Sequence, residues 1–205
     1  MKTKHIILIL IPINILLAYL IYNSINSEVK FQDEAKIRLS QNIQKLKDLR
    51  HVQTAYKRTK GVFANNFENL IEFLEFDSIP IIKAIGETPD SLSDSQALKL
   101  GIISRDTAYV LAKNGVFNKE YLDSRDDCIE FSLNDLTTVP HSNMNYNIDA
   151  GEIEKGKVIV QVFEISTKYG TIFTGLDAKN KSYNLNSLLK VGSMQEASLN
   201  GNWGE

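Results

Sequence analysis

The chain has 205 residues, with 23 Lys and Arg, 25 Asp and Glu, and a net charge of −2, so its overall charge gives no argument for nucleic-acid binding. This length accommodates one ordinary domain and an extended element rather than two sizeable cores. The single cysteine, Cys128, excludes an intramolecular disulfide and leaves the redox compartment open.

Residues 6–22 form an uncharged apolar run in which Asn14 and two tyrosine hydroxyls are the polar side-chain groups. As a helix this run is about 25 Å long, and a few flanking residues bring it close to the roughly 30 Å of a hydrocarbon core. We therefore predict a transmembrane anchor over residues 1–25 that contacts the bilayer through residues 6–22. Pro12 removes one backbone donor from this helix.

A cleaved signal peptide and a buried core helix are the alternatives to an anchor. A signal peptide also begins with basic residues, here Lys2 and Lys4, but its apolar core is usually shorter and ends in a small-x-small motif. Cleavage after Ser24 would place Tyr22 at position minus three, which does not fit that motif. The pattern favours an uncleaved signal-anchor of the bacterial inner membrane with a periplasmic head, although basic residues also follow the run.

Residues 26–60 contain neither proline nor glycine and predict a long helical stalk. Apolar residues recur in this segment at spacings of three and four. This stripe consists of Ala35, Leu39, Ile43, Leu46 and Leu49. It has two places to pack, a partner stalk in a short coiled coil or the protein's own head, and we expect any self-association to use it.

The charge is divided unevenly along the chain. Residues 28–60 carry nine Lys and Arg against four Asp and Glu, whereas residues 61–205 carry twelve against twenty-one. A basic stalk fits a segment that lies near anionic lipid head groups, and a solvated lysine-rich helix face explains the same pattern.

Residues 61–205 predict a mixed head domain, and we expect the β-rich segment from Ile79 onward not to need the proximal stalk for its core. Gly61 is placed to cap the stalk helix, and Asn65 with Glu68 predicts a capping box that opens a second helix. Two further capping patterns are Ser93 with Gln96 and, near the C-terminus, Ser193 with Glu196. Expected elements are strands over residues 79–86, 106–112, 128–133, 146–150, 157–166 and 171–176, a helix over residues 94–100, and turns at residues 88–90 and 114–115. The fold class is therefore α+β: a transmembrane helix, a helical stalk, and a domain of short helices with an antiparallel meander.

The order of a membrane run, a contiguous helix, the pattern Ala55-Tyr56 followed by Lys60-Gly61-x-Phe63, and a later β-rich region resembles the ground plan of type IV pilins and pseudopilins. Those proteins need a glutamate just inside the processed helix and a glycine before the processing site. This chain has no acidic residue before Glu28 and no glycine before Gly61. The resemblance is architectural and implies neither prepilin processing nor filament assembly.

A second resemblance covers nearly the whole chain. It rests on Ile85-Gly-x-x-Pro-Asp-Ser-Leu92, Arg105-Asp-Thr, Leu189-Lys-Val-Gly-Ser193 and Gly201-Asn-Trp203. These stretches look like a family of uncharacterised single-pass membrane proteins from Bacteroidetes. The family implies membrane anchoring in a bacterial envelope and brings no activity with it.

The sequence contains no phosphate-binding glycine loop, no paired cysteines and no H-E-x-x-H motif. Cys128, His141 and the acidic residues around Asp126 are isolated features that more often belong to strands and solvated loops. We assign no catalytic, cofactor-binding or metal residues. The sequence favours a membrane-anchored structural or interaction subunit that docks a protein partner, and the alternative is a tethered enzyme with an unrecognised site.

Overall fold

The computed structural model of the chain describes residues 3–86, 93–179 and 181–204. Its elements in chain order are α1 (Thr3–Lys60), α2 (Phe67–Phe76), β1 (Ser78–Ile85), α3 (Asp94–Lys99), β2 (Ser104–Leu111), α4 (Ala112–Val116), α5 (Lys119–Asp123), β3 (Asn147–Lys155), β4 (Val158–Lys168), α6 (Tyr169–Ile172) and β5 (Leu188–Gly192). The predicted α+β class is confirmed, because a long N-terminal helix precedes short helices and two antiparallel sheets.

Helix α1 is 58 residues long and contains one proline, Pro12. It ends where the sequence predicts, because Gly61 takes a left-handed φ of 84° and its N–H donates to the Lys57 carbonyl at 2.8 Å. Helix α2 begins one residue later than expected. Asn66, not Asn65, is its N-cap and accepts a bond from the Asn69 N–H at 2.8 Å.

The two halves of α1 have opposite surroundings. The described side chains of residues 8–25 are exposed, as Leu8 at 71% and Ile21 at 61% illustrate. Within the described residues, α1 is the one helix long and apolar enough to cross a membrane, so it is a candidate single-pass span. Its second half is different, because Leu46 and Leu49 are fully buried in the head.

The stripe of α1 therefore packs on the protein's own head. Phe31, Ala35, Leu46 and Leu49 belong to the same hydrophobic cluster as Phe163 of β4, while Leu39 and Ile43 lie partly buried against it. The expectation that the head forms its core without the proximal stalk was wrong. A helix whose apolar face is completed by one sheet cannot be separated from that sheet without exposing both surfaces.

The three-stranded sheet has the order β3-β4-β5 and is antiparallel throughout. Ile165 in the central strand pairs with Ile148 on one side and Val191 on the other. The C-terminal residues continue beside β5 through a bridge between Val191 and Gly201. Trp203 packs partly buried against the core, which holds residues 201–203 on the sheet.

Strands β1 and β2 form a separate two-stranded sheet with α3 in the connection, and we name residues 78–86 and 93–111 the arm. The arm is fixed at its base, where the Ala112 N–H donates to the Asp77 carbonyl at 2.8 Å. At the same base Gly115 packs so closely that an added Cβ would lie 2.6 Å from Cδ1 of Ile79. This approach explains a glycine in α4, at a position where the sequence predicted a tight turn.

Two predicted strands are absent from the described residues because their carbonyl groups bond to side chains. In residues 128–133 the Cys128 carbonyl accepts from Gln41 at 3.1 Å, and that segment is irregular. Residues 171–172 form the end of α6 and residues 173–176 follow it, and Arg38 donates to the carbonyls of Ile172 and Thr174 there. The capping pattern at Ser193 forms a turn rather than a helix, since its hydroxyl accepts from two successive N–H groups after β5. The turn expected at residues 88–90 lies outside the described residues.

Candidate functional site

The side of α1 next to the apolar stripe carries buried polar groups, which we name the polar seam. The seam comprises Arg38, Asn42, Gln44, Lys45, Asp48 and Gln53, and all six are buried. Among the described residues, every buried side-chain nitrogen or oxygen has a hydrogen-bond partner. A buried polar group costs free energy unless it is paired, so a fully paired seam fixes the segments that supply the partners.

Asp48 is the centre of the seam. Its carboxylate accepts two hydrogen bonds from Arg125, from Nε and Nη2 at 3.0 Å each. The side chains of Asp48 and Arg125 are 2% and 8% exposed. The same carboxylate accepts from the Tyr121 hydroxyl and from Gln44, both at 2.9 Å. Burial, followed by the Asp48 charge, raises the pKa of Tyr121, so its hydroxyl stays protonated as the donor.

His51 lies one turn further along α1 and stacks on Tyr121. The ring centroids are 4.0 Å apart and the planes differ by 3°. Nε2 of His51 lies 2.9 Å from the Val116 carbonyl, which can only accept, so this nitrogen carries the hydrogen. Burial lowers the pKa of His51 and keeps the imidazole neutral near pH 7.

Three further seam residues hold loops of the head. Lys45 donates to the carbonyls of Asp135 and Thr138, and burial lowers its pKa. Gln53 makes a reciprocal pair with Ala64, accepting from its N–H at 2.9 Å and donating to its carbonyl at 2.7 Å. Asn42 accepts from the Tyr146 hydroxyl at 2.6 Å. The contacts of Lys45 and Asn42 join α1 to residues 90 to 104 positions away in the sequence, whereas Gln53 holds the loop directly after α1.

A surface cleft of about 430 Å³ opens over the seam. Its lining residues are Gln44, Lys47, Arg50, His51, Thr54, Tyr121, Ser124, Arg125, Asp126, Leu199 and Asn200. The cations of this cleft bond within the protein: Lys47 lies 3.3 Å from Asp126, and Arg50 donates to the Leu199 carbonyl at 3.3 Å. Asp48 already accepts four hydrogen bonds, so its carboxylate is fully paired within the protein.

Of the isolated residues noted in the sequence, Asp126 lines the cleft beside Arg125, whereas Cys128 and His141 are not among its lining residues. Gln41 connects two of them, donating to the Cys128 carbonyl and bonding Nε2 of His141 at 2.8 Å. Burial raises the pKa of the Cys128 thiol, which keeps it protonated and weakly nucleophilic. Within the described ranges, no group of three or more His, Cys, Asp or Glu could hold a metal ion, and Asp126 pairs with Lys47 instead.

Outside the candidate membrane span, exposed apolar side chains concentrate on the arm and on the neighbouring end of α2. Tyr109 is 72% exposed, Leu100 65% and Phe76 75%. Tyr109 stands opposite Pro80 in the sheet, and both side chains are exposed. Exposed apolar clusters of this kind are typical of docking surfaces.

Comparisons with protein-family models, with curated proteins and with solved structures find no match to this chain. Sequence reasoning missed Asp48, Arg125 and Tyr121 because the pairs lie 77 and 73 residues apart. The one local signal was an acidic residue inside a basic helix segment. An acidic residue in such a segment does not by itself identify Arg125 or Tyr121 as its partner.

Proposed function

We propose that this chain is a single-pass protein of the bacterial inner membrane whose periplasmic head serves as a structural or protein-interaction subunit of the cell envelope. The observation that carries the proposal is the continuity of α1, which is exposed and apolar over residues 8–25 and becomes part of the head's core from Phe31 onward. A continuous helix transmits the orientation of its anchor to the head. This arrangement suits a protein that holds a domain at a set place above a membrane.

The geometry also supports a distal docking site. Helix α1 continues for about 50 Å from residue 25 to Lys60, at 1.5 Å per residue. Lys60 pairs with Asp77 at 2.7 Å, and Asp77 directly precedes the arm. The arm therefore begins about 50 Å from the end of the anchor, where its exposed apolar side chains and open strand edges suit a partner that contributes a strand of its own.

The paired state of the cleft favours docking over catalysis. Asp48, Arg125 and Tyr121 bind one another, and His51 is neutral and bonded to a backbone carbonyl. These contacts stabilise the packing of α5 on α1. They leave the interaction role as the one that the site supports best.

Affinity isolation of the full-length protein after in-cell crosslinking tests this function. We would compare the native chain with an arm variant, Leu100→Lys with Tyr109→Lys, and a matched control, Val158→Lys with Ile159→Lys. The control residues are similarly exposed, at 60% and 68%, but lie on β4. We expect a protein captured by the native chain and the control to be lost from the arm variant. Equal capture by all three chains would exclude the arm, and no specific capture by the native chain would contradict the interaction role.

A further inference from the structure

Asn14 lies at the midpoint of the apolar run over residues 6–22, and its side chain is exposed on the helix surface. If the run spans a bilayer, as the proposed function requires, this residue sits near the centre of the hydrocarbon. The inference below rests on that anchoring. Polar residues at such a depth face protein or enclosed water rather than lipid, because lipid tails offer no hydrogen bonds.

The hydrogen bonds of Asn14 are incompletely met within its own helix. Its Nδ2 donates to the Leu10 carbonyl at 2.9 Å. A carboxamide has two donors and an oxygen with two acceptor positions. In the part of the chain that the structure describes, the second N–H and the oxygen of Asn14 have no further partner.

We propose that Asn14 is a self-association site, at which the anchors of two copies of this chain pair through reciprocal hydrogen bonds between their Asn14 carboxamides. The second N–H of Asn14 in one copy can donate to the Asn14 oxygen of the other copy, and the reverse bond is equally available, because a carboxamide is both a donor and an acceptor. Polar side chains that bond across helices in this way stabilise association within membranes. A second copy is therefore the occupant that the chemistry of the residue selects.

The surroundings of Asn14 suit a close helix pair. Ala18 follows one turn later on the same face, and a small side chain there lets two backbones approach. Leu10 and Ile21 also lie near this face and are exposed, at 47% and 61%. These residues supply the apolar contact that surrounds the central amides.

The stripe expected to mediate self-association is already occupied. Ala35, Leu46 and Leu49 are fully buried within the head, so a partner helix cannot reach them without unfolding it. The anchor remains free, because its described side chains contact nothing in the chain beyond their own helix neighbours. Self-association thus moves from the stalk to the membrane.

The orientation of the head allows two anchors to meet. Asn42 points into the head and is fully buried. The 28 residues from Asn14 to Asn42 turn an α-helix by about 280°, which leaves the Asn14 face about 80° from the head-facing side. Two copies that pair at Asn14 therefore place their heads beside the contact rather than within it.

The first test measures the oligomeric state of full-length protein reconstituted in phosphatidylcholine vesicles, by energy transfer between two labelled populations. We expect Asn14→Leu to weaken self-association by about 3- to 30-fold, and Asn14→Gln to retain it, because glutamine keeps the amide. Asn23→Leu, near the end of the run, serves as a matched control and should behave like the native chain. A monomeric native chain, or equal association of Asn14→Leu, would overturn the proposal.

The second test locates the contact by oxidative crosslinking in native membranes, in a Cys128→Ser background. Ile21→Cys lies within about 20° of the Asn14 direction and should form a dimer, whereas Leu16→Cys lies about 160° away and should not. Crosslinking of Ile21→Cys mainly to a different protein would overturn self-association in favour of a foreign helix. Membrane fractionation separates the two proposals: a monomer that stays in the membrane contradicts only the Asn14 site, whereas a chain absent from membranes contradicts the anchor as well.

Discussion

The two halves of α1 invert the usual placement of side chains. In the first half, apolar residues such as Leu17 are exposed, while in the second half polar residues such as Asp48 and Gln53 are buried. The same helix geometry serves both halves, so the difference lies in what surrounds them. Exposure of Leu17 and burial of Asp48 therefore fit one continuous helix that begins as a candidate membrane span and enters the head's core without a break.

We expect the largest effect from substitutions that prevent membrane insertion of the first half of α1. The double variant Leu10→Arg with Leu17→Arg should be released from membranes or degraded, since each central arginine costs about 2.5–3.5 kcal/mol of insertion free energy. Fractionation at high salt measures the outcome. The matched control, Ile37→Arg with Ile71→Arg, places two charges at exposed sites outside the run and should stay in the membrane. Retention of the first variant would show that the span is misassigned.

We expect the next largest effect from removing Asp48, the centre of the polar seam in the second half of α1. Asp48→Ala leaves the Arg125 guanidinium buried without its carboxylate and should lower the free energy of unfolding of the head by about 3–5 kcal/mol. Pulse proteolysis in urea, on the full chain in detergent micelles, measures this change. Asp126→Ala removes an exposed ion pair with Lys47 and should cost less than about 1 kcal/mol. Equal losses in both variants would contradict the central place of Asp48.

The same leucine-to-alanine substitution, made once in each half of α1, compares the two halves directly. Leu49→Ala removes a fully buried side chain from the head and should cost about 2–5 kcal/mol of unfolding free energy. Leu17→Ala makes the same chemical change where the side chain is 50% exposed, and it should leave the unfolding of the head unchanged. The same urea titration reports both. A similar loss for Leu17→Ala would mean that the anchor packs on the head.

The smallest effect concerns pH. Burial lowers the pKa of His51 in the folded state, so near pH 6.5 the unfolded chain binds a proton at His51 that the folded chain does not bind. The stabilisation from neutral His51 is therefore present above that pH and is lost as the pH falls through the folded pKa. We expect the urea midpoint of His51→Gln to change less between pH 7 and pH 5 than that of the native chain. An identical pH dependence would contradict this role.

The sequence predicted the parts of the fold that local patterns determine. The apolar run, the glycine that ends α1, and strands β3 and β4 follow from composition and spacing alone. The polar seam could not be predicted, because a lysine such as Lys45 is indistinguishable from a surface lysine until the Thr138 carbonyl, 93 residues away, is placed beside it. The irregular segment after Asp127 was misassigned for the same reason, since Gln41 satisfies a carbonyl that a neighbouring strand would otherwise bind.

The central claim is that residues of α1 beyond the anchor are part of the head's core, and two soluble fragments test it most directly. One fragment begins at Ser27 and the other at His51, which removes Phe31, Ala35, Leu46 and Leu49 from the core together with Asp48. Amide proton dispersion in a heteronuclear NMR spectrum reports whether each fragment folds. We expect the fragment from Ser27 to give a dispersed spectrum and the fragment from His51 to give the narrow spectrum of an unfolded chain. A dispersed spectrum from the fragment that begins at His51 would contradict the account.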